Sequence, residues 1–322
     1  MADKQYMYAV ARIRTKETAL LTKSDIDQLM NCKNEKECVR MLTDKGWGKT
    51  GEENEEQILT IEREKTWELI RELVEDMSIF NTFLYSNDFH NLKAAIKQIY
   101  TNSNRNDIYI SQGTVSPELI IDAVKEHKFS SLPEHMHTCA EEAYQVQMHT
   151  GDSQLCDVII DRAALETVLQ KSKAADNEVL AKYGELKVAV ADINIAIRSC
   201  KTGKDRAFIE RALAECKSLD KAELTAAALE GMEAIYSYLL TTDYADAVTA
   251  IKESPSAFEC WSDNLIIRHI RPQKYNPFTV SPLAAYILAR ENEIKTVRII
   301  LSGKRNSIAD NSIRERLREM YV

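Results

Sequence analysis

The chain repeats one of its own helical segments. Around Arg298 it reads NEIKTVRIILSGKRNSIADNSIRERL, and around Arg198 it reads DINIAIRSCKTGKDRAFIERAL. At an offset of 100 residues, Asn292/Asp192, Val297/Ile197, Arg298/Arg198, Gly303/Gly203 and Lys304/Lys204 superpose without a gap. A fainter copy, NLKAAIKQIYTN, precedes both and puts Ile96 and Lys97 in the Ile-Arg positions. A second echo has an offset of 198: residues 21–43 align with residues 219–241, with Lys23/Lys221, Asp25/Glu223, Ile26/Leu224, Leu29/Ala227 and Leu42/Leu240 in register. The middle counterpart begins near Leu132 and is weak. A helical unit repeated along a chain constrains architecture before any single residue does. The expectation is three units, at residues 1–112, 113–210 and 211–322.

The repeat is helical because little in the sequence breaks a helix. Only 9 Gly and 6 Pro occur in 322 residues. Alternating β-branched runs are nearly absent. Leu69, Ile70, Leu73, Val74 and Met77 fall on one stripe at helical spacing. The expected fold class is all-α. A chain of this length can bury roughly three quarters of its extended surface, enough for a proper core.

Helix boundaries are legible. Ser116-Pro117-Glu118 and Ser281-Pro282 offer a hydroxyl cap followed by Pro in the first turn, where its missing N–H costs nothing. Asp220 with Glu223 resembles a capping box, and Ser24 or Thr22 is a cap for a helix running through Met30. Gly46, Gly48, Gly151, Gly203 and Gly303 are expected stops. The last two follow apolar helices and precede Lys, as left-handed C-terminal caps with a nearby cation would. Residues 101–116, rich in Asn and Ser, are expected to form a loop. Residues 51–57 are expected to be a solvated acidic stretch. Residues 254–277, with three Pro, are expected to be an irregular connection.

The charge is uneven. The net charge is −8. From Leu265 onward, eleven basic and five acidic residues give +6, which leaves −14 on the remainder. Two differently charged partner surfaces would produce this asymmetry, and so would ordinary solvated helix faces. The basic end alone does not indicate nucleic acid, because the total is acidic and no recognition motif is present. The seven Cys, at 32, 38, 139, 156, 200, 216 and 260, are odd in number and lack Cys-x-x-Cys spacing. With no signal-peptide pattern at the start, they read as reduced cytoplasmic thiols. No apolar run approaches the roughly 18 residues a spanning helix needs, so any membrane association is expected to be peripheral.

No catalytic constellation emerges. Thr202-Gly203-Lys204 is like the end of a phosphate loop but lacks the upstream Gly and follows a helix rather than a strand. Glu134-x-x-His137 has the spacing of a di-metal carboxylate ligand pair. Such sites need two copies and two further carboxylates, and only one copy occurs here. His90, His127, His149 and His269 carry no zinc spacing. Neither a Gly-x-Ser-x-Gly elbow nor a zinc-protease helix is present. No cofactor is expected, and the chain reads as a binding or structural component of a larger assembly.

Four stretches, in order along the chain, resemble the C subunit of bacterial and archaeal V/A-type rotary ATPases, which corresponds to the d subunit of eukaryotic V-ATPases. They are the opening YMYAVARIRTKETALLTKSDIDQLMNCKNEKECVRMLTDKGWG, then SNDFHNLKAAIK (86–97), GDSQLCDVIIDRAALE (151–166) and SPLAAYILARENEIKTVRIILSGKRN (281–306). The resemblance implies three similar helical units around a pseudo-threefold axis, forming a funnel on the cytoplasmic face of the membrane proteolipid ring. The funnel would receive the foot of the central stalk, formed by the D and F subunits, and turn with the ring. The resemblance supplies no catalytic, metal or cofactor-binding residues. Lys97, Arg198 and Arg298 occupy equivalent positions, as do Lys204 and Lys304, and all five are candidate partner-binding residues on a shared rim or socket. The competing reading, which the residues favour, is that they snorkel from local cores or cap helix ends. A different class remains open: a free-standing helical-repeat adaptor for cytosolic proteins. A third reading is an all-α enzyme with an unrecognised site, which a deep pocket with shifted carboxylate or His pKa values would support.

Overall fold

The computed structural model describes residues 6–49, 54–103, 105 and 107–322. Residues 51–53 of the acidic stretch, and Asn104 and Asn106 of the Asn/Ser-rich loop, lie outside the described residues. Among the described residues all regular structure is helical, as the shortage of breakers predicts. In chain order the helices are α1 (Met7–Glu17), α2 (Lys23–Asn31), α3 (Glu35–Asp44), α4 (Glu55–Leu73), α5 (Tyr85–Thr101), α6 (Pro117–Lys125), α7 (Glu134–Thr150) and α8 (Ser153–Ala174). There follow α9 (Glu178–Thr202), α10 (Arg206–Ala212), α11 (Lys221–Glu230), α12 (Met232–Leu239), α13 (Ala247–Glu253), α14 (Pro255–Ile270), α15 (Ser281–Arg305) and α16 (Asp310–Arg314).

The chain divides into two compact units. The first joins both ends of the sequence, residues 1–77 with 246–322. Its centre is α15, which is buried around most of its circumference, polar residues such as Arg290, Asn292 and Glu293 included. Around it pack α1, α2, α3, α4, α14 and α16. Leu29, Met30, Leu42, Ile58 and Leu59 meet Val297, Ile300 and Leu301 in its core. The second unit, residues 78–245, is continuous in sequence. In it α8 packs against α5, α7, α9 and α10, while α11 and α12 pack on α9. Phe89, Leu92, Ile96, Ile120, Met136, Cys156 and Ile160 form one core cluster there.

Most helix starts follow local sequence. The Thr22 hydroxyl accepts from the Asp25 amide while the Asp25 carboxylate accepts from the Thr22 amide, a complete capping box on α2. Ser116 caps α6 through the Leu119 amide, with Pro117 in the first turn. Asp220 caps α11 through the Glu223 amide at 2.9 Å. The apolar stripe through Leu69 and Ile70 belongs to α4, which ends at Leu73 with Val74 in extended conformation.

Three boundary expectations change. Residues 254–277 are not irregular: Ser254 caps α14 through the Ala257 amide, and Pro255 sits in its first turn. Pro272 likewise starts a 3-10 segment, Arg271–Tyr275. Two of the three Pro thus begin helices, where proline costs no hydrogen bond. Ser281 does not cap α15; its own amide donates to the Thr279 hydroxyl, and the N-cap position is Val280. Gly203 ends α9 in the left-handed region at φ +63°, but Gly303 remains inside α15. The corresponding left-handed residue is Ser307 at φ +52°, after which the Ile308 amide returns to the Gly303 carbonyl at 2.9 Å.

Gly303 is required for a different reason. A Cβ there would lie 2.5 Å from Ile313 Cδ1 and 2.7 Å from Cγ1. The Ile313 side chain of α16 therefore rests directly on the α15 backbone. Gly303→Ala should lower stability by about 1–3 kcal/mol through overpacking, read as a drop in thermal midpoint. The double variant G303A/I313V should recover part of that loss. A rise in midpoint, the usual outcome of Gly→Ala in a helix interior, would refute the contact.

Candidate functional site

The five candidate cations have different surroundings. Lys97, on α5, pairs with Asp157 of α8 at 2.6 Å, and one turn earlier Lys93 pairs with Asp161 at 2.6 Å. Two Lys four residues apart thus face two Asp four residues apart, which registers SNDFHNLKAAIK against GDSQLCDVIIDRAALE. Arg198 is exposed at the end of α9, and among the described residues its guanidinium makes no hydrogen bond or ion pair. Lys204 donates to Gln154 Oε1 at 2.7 Å and lies 4.8 Å from the centre of the Phe208 ring. Arg298 is exposed beside Glu56, 3.4 Å away. Lys304 differs from the rest: only 8% of its side chain is accessible. Its Nζ donates to the Met30 carbonyl at 2.7 Å, near the C-terminus of α2, and to Asp310 at 2.9 Å.

Six residues before Lys97, Arg198 and Arg298 lie three buried polar side chains, and the same hydrogen-bonding role recurs in each. Asn91 exchanges two hydrogen bonds with Ile110, accepting from its amide and donating to its carbonyl, both at 2.8 Å. Asp192 accepts from the Ala214 amide at 3.1 Å. Asn292 donates to the Glu319 carbonyl at 2.9 Å. Each residue ties the chain that follows a long helix back onto that helix. The caps of α5 and α9 also match. Asn102 and Gly203 are both left-handed, with Ser103 N to Gln98 O at 3.1 Å and Lys204 N to Ser199 O at 3.0 Å. The internal repeat names the Asn292/Asp192 pair, and its fainter copy begins at Asn91 with the same spacing to Lys97, but the alignment does not show that these side chains are tethers.

The loop after α5 is fastened by further residues of the same motif. Asp88 accepts from the amides of Thr114 (2.8 Å) and Val115 (3.1 Å), and Asn87 donates to the Gln112 carbonyl at 2.7 Å. In the GDSQLCDVIIDRAALE stretch, Gly151 ends α7 in the left-handed region and Asp152 caps α8. The residues that carry the family resemblance therefore build and fasten helices.

The strongest electrostatic feature is a buried cluster in the first unit. Arg290 of α15 donates to Glu62 Oε2 of α4 at 2.5 Å, to Glu293, and to the Thr66 hydroxyl at 3.3 Å. Glu62 Oε1 also accepts from the Gly48 amide at 3.0 Å and from Lys65 at 2.7 Å. Lys65 reaches the carbonyls of Gly48 and Gly46, and Glu293 accepts from the Leu21 amide. Burial opposes the charge on Arg290, yet Glu293, Tyr286 and Glu62 hold its pKa above the ordinary value. The guanidinium also faces the Trp47 ring at 5.1 Å.

Nothing in the described residues assembles the constellations weighed from sequence. No group of three or more His, Cys, Asp or Glu among them is arranged to hold a metal. The His137 ring nitrogen lies 2.6 Å from the Leu132 carbonyl, and His135 sits against Tyr85 and Phe89. Thr202-Gly203-Lys204 is a helix end. The seven Cys are free, and burial pushes the Cys139 thiol up to about 12. No helix among the described residues is long and apolar enough to cross a membrane.

These surroundings set two expectations. Burial raises Asp192 from its ordinary 3.8 to about 7, against the Ala214 amide, which favours the charged form. A raised folded-state pKa contributes stability that is complete below the unfolded value, declines as pH rises and is gone above the folded value. The thermal midpoint should therefore fall between about pH 4 and pH 7, and Asp192→Asn should flatten that fall. An unchanged slope in the variant would sink the assignment. At the cations, Lys304→Glu would set a carboxylate against carbonyls at a helix C-terminus and should cost about 2–3 kcal/mol. Arg198→Glu should stay within about 0.5 kcal/mol. Equal thermal midpoints for the two variants would contradict the difference in their surroundings. Reversal at Lys304 thus reports on folding and cannot isolate an assembly contact.

Comparison with known proteins agrees with the four resembling stretches. The sequence pattern of the ATP synthase (C/AC39) subunit family matches residues 9–316. The C subunit of the V-type sodium ATPase of Enterococcus hirae is 24% identical over 267 residues, covering 82% of this chain and 81% of that protein. The C subunit of the A-type ATP synthase of Thermococcus kodakarensis is 22% identical over 320 residues, covering 92% and 86%. That of Methanosarcina acetivorans is 23% identical over 352 aligned positions, covering 97% and 92%. With the pattern extending over nearly the whole chain, and the resembling stretches forming the registered helices and caps described above, the chain belongs to the ATP synthase (C/AC39) subunit family, the family of the C subunits of V/A-type ATPases.

Proposed function

We propose that this chain is the non-catalytic central-stalk C subunit of a V/A-type rotary ATPase. It couples the central shaft, built by the D and F subunits, to the membrane proteolipid ring at the cytoplasmic face. It transmits torque for ATP-linked proton or sodium transport and itself makes and breaks no covalent bond. The observation that carries this reading is the family match over residues 9–316.

The proposed architecture is three repeat units, residues 1–112, 113–210 and 211–322, around a pseudo-threefold axis, forming a funnel. It is supported by the recurrence of Asn91, Asp192 and Asn292, each buried and each tethering the segment after its helix. A torque-bearing part must resist internal shear. The ion-paired register of α5 on α8 and the buried cluster at Arg290 suit that demand. Lys97, Arg198, Lys204, Arg298 and Lys304 remain the proposed partner-facing cations. Of these, Arg198 and Arg298 are the most available, being exposed.

The test is a pull-down of the tagged full-length chain from its native membranes in detergent, with the co-purifying proteins identified by mass. Recovery of stalk subunits together with a small proteolipid is the expected result. The double variant R198E/R298E should reduce that recovery while leaving the thermal midpoint nearly unchanged. Recovery of the chain alone, or with unrelated soluble proteins, would overturn the reading in favour of a free-standing helical adaptor.

A further inference from the structure

The segment after α16 is held in the first unit as a ligand is held in a groove. Residues 315–322 contain no helix. The last hydrogen bonds between backbone groups there are two turn bonds, Arg316 N to Ile313 O at 3.0 Å and Leu317 N to Arg314 O at 3.2 Å. From Arg318 to Val322 no backbone group has a backbone partner among the described residues. Side chains of α14, α15 and the 3-10 segment Arg271–Tyr275 take that role instead. Asn264 of α14 accepts from the Glu319 amide at 2.7 Å, and Asn292 of α15 donates to the Glu319 carbonyl at 2.9 Å. Arg271 donates to the Met320 carbonyl at 3.0 Å, and the Cys260 thiol donates to the Leu317 carbonyl at 3.2 Å. An extended segment needs such partners for its N–H and C=O groups. Here two helices and a 3-10 turn supply them without a sheet edge.

Two side chains anchor the segment. Only 3% of the Arg318 side chain is accessible, and it meets Asp263 at 2.8 Å and Glu259 at 3.1 Å. Tyr321 is buried, with Lys274 Nζ 4.8 Å from the centre of its ring. The arginine shares its site with a second cation. Lys295 of α15 reaches the same two carboxylate oxygens, Glu259 Oε1 at 2.8 Å and Asp263 Oδ2 at 2.7 Å. Withdrawing Arg318 therefore leaves both carboxylates paired with Lys295. Breaking a buried ion pair is costly chiefly because it strands the charge left behind, and here no charge is stranded. Arg290 is the opposite case, since the buried Glu293 has no other ion pair among the described residues.

We infer that α14, α15 and the 3-10 segment form a groove for an extended peptide, and that residues 317–321 are its removable occupant, a strap that lifts while the helical body stays folded. The groove recognises an Arg followed three residues later by an aromatic. The backbone between them is held by Asn264, Asn292 and Arg271. In place, the strap acts as an intramolecular competitor at the roughly millimolar effective concentration that a short tether gives. Lifted, it opens the groove to an extended segment of another chain with the same pattern. The groove and its strap are independent of the ATPase assignment.

Two measurements on the full-length chain decide the matter. In hydrogen exchange of the wild type, the Glu319 amide should exchange at least about a hundredfold faster than the amides of Val297 and Ile300, which need the core to open. Equal protection would make the segment part of the core and overturn the strap. In the second measurement, R318E/Y321A loosens the strap from its own side and leaves the groove residues unchanged. By fluorescence anisotropy this variant should bind a labelled peptide copying residues 315–322 at least about tenfold more tightly than the wild type, whose groove is filled. It should also keep a cooperative thermal melt. A peptide carrying both substitutions should not bind, and adding D263N/N264A to the variant should abolish binding of the unsubstituted peptide. Loss of the cooperative melt, a folded variant that ignores the peptide, or equal binding of the substituted peptide would each overturn the proposal.

Discussion

The first unit depends on one buried arginine. Arg290 holds Glu62 of α4 and Glu293 of its own helix, and these two carboxylates in turn receive the amides of Gly48 and Leu21. Four segments distant in sequence thus converge on a single guanidinium. Taking such charges out of water is costly, and well-packed apolar residues are often as stable. The cluster is therefore better understood as specifying register than as supplying net stability. Apolar packing alone would let a helix rotate or slide with little change in buried area. A guanidinium with two carboxylates and a hydroxyl to satisfy admits one alignment.

The second unit reaches the same end differently. There the alignment of α5 on α8 is set by two Lys–Asp pairs at one-turn spacing, partly exposed. Such pairs contribute little individually, on the order of 0.2–1 kcal/mol each. Their shared spacing fixes register all the same. The loop after α5 is fastened by short polar side chains, Asn87, Asp88 and Asn91, rather than by apolar packing. That is why residues 110–115 are held in place without being helical.

The sequence is legible where local chemistry decides. The all-helical class, the caps at Thr22, Ser116 and Asp220, and the stops at Gly151 and Gly203 can all be read from adjacent residues. It misleads where tertiary contact decides. Gly303 looks like Gly203 and is followed by the same Lys, but Ile313 occupies the space above it and the helix continues to Arg305. Residues 254–277 look broken because three Pro occur close together, yet two of them stand in first turns. Of the candidate cations, no sequence pattern distinguishes Lys304, held at a helix terminus, from Arg198, exposed and unpaired among the described residues. That difference depends on which turn of another helix lies opposite. Asn91 opens the fainter copy of the repeat, but nothing in the sequence shows that it, Asp192 and Asn292 each tether the segment after a helix, because that depends on where the chain returns.

The division of the chain has a consequence for synthesis. Residues 78–245 form a continuous unit, while the other unit needs residues 1–77 and 246–322 together. On the ribosome the continuous unit can fold as soon as it emerges. The N-terminal segment cannot, because α15, the helix that covers Leu29, Leu42, Ile58 and Leu59, is made near the end. At about 5–20 residues per second, α1 to α4 wait roughly ten to fifty seconds for their central helix. During that interval their apolar faces, and the Glu62 carboxylate destined for Arg290, have no native partner. The order of translation therefore makes this N-terminal segment the part of the nascent chain most dependent on chaperone protection.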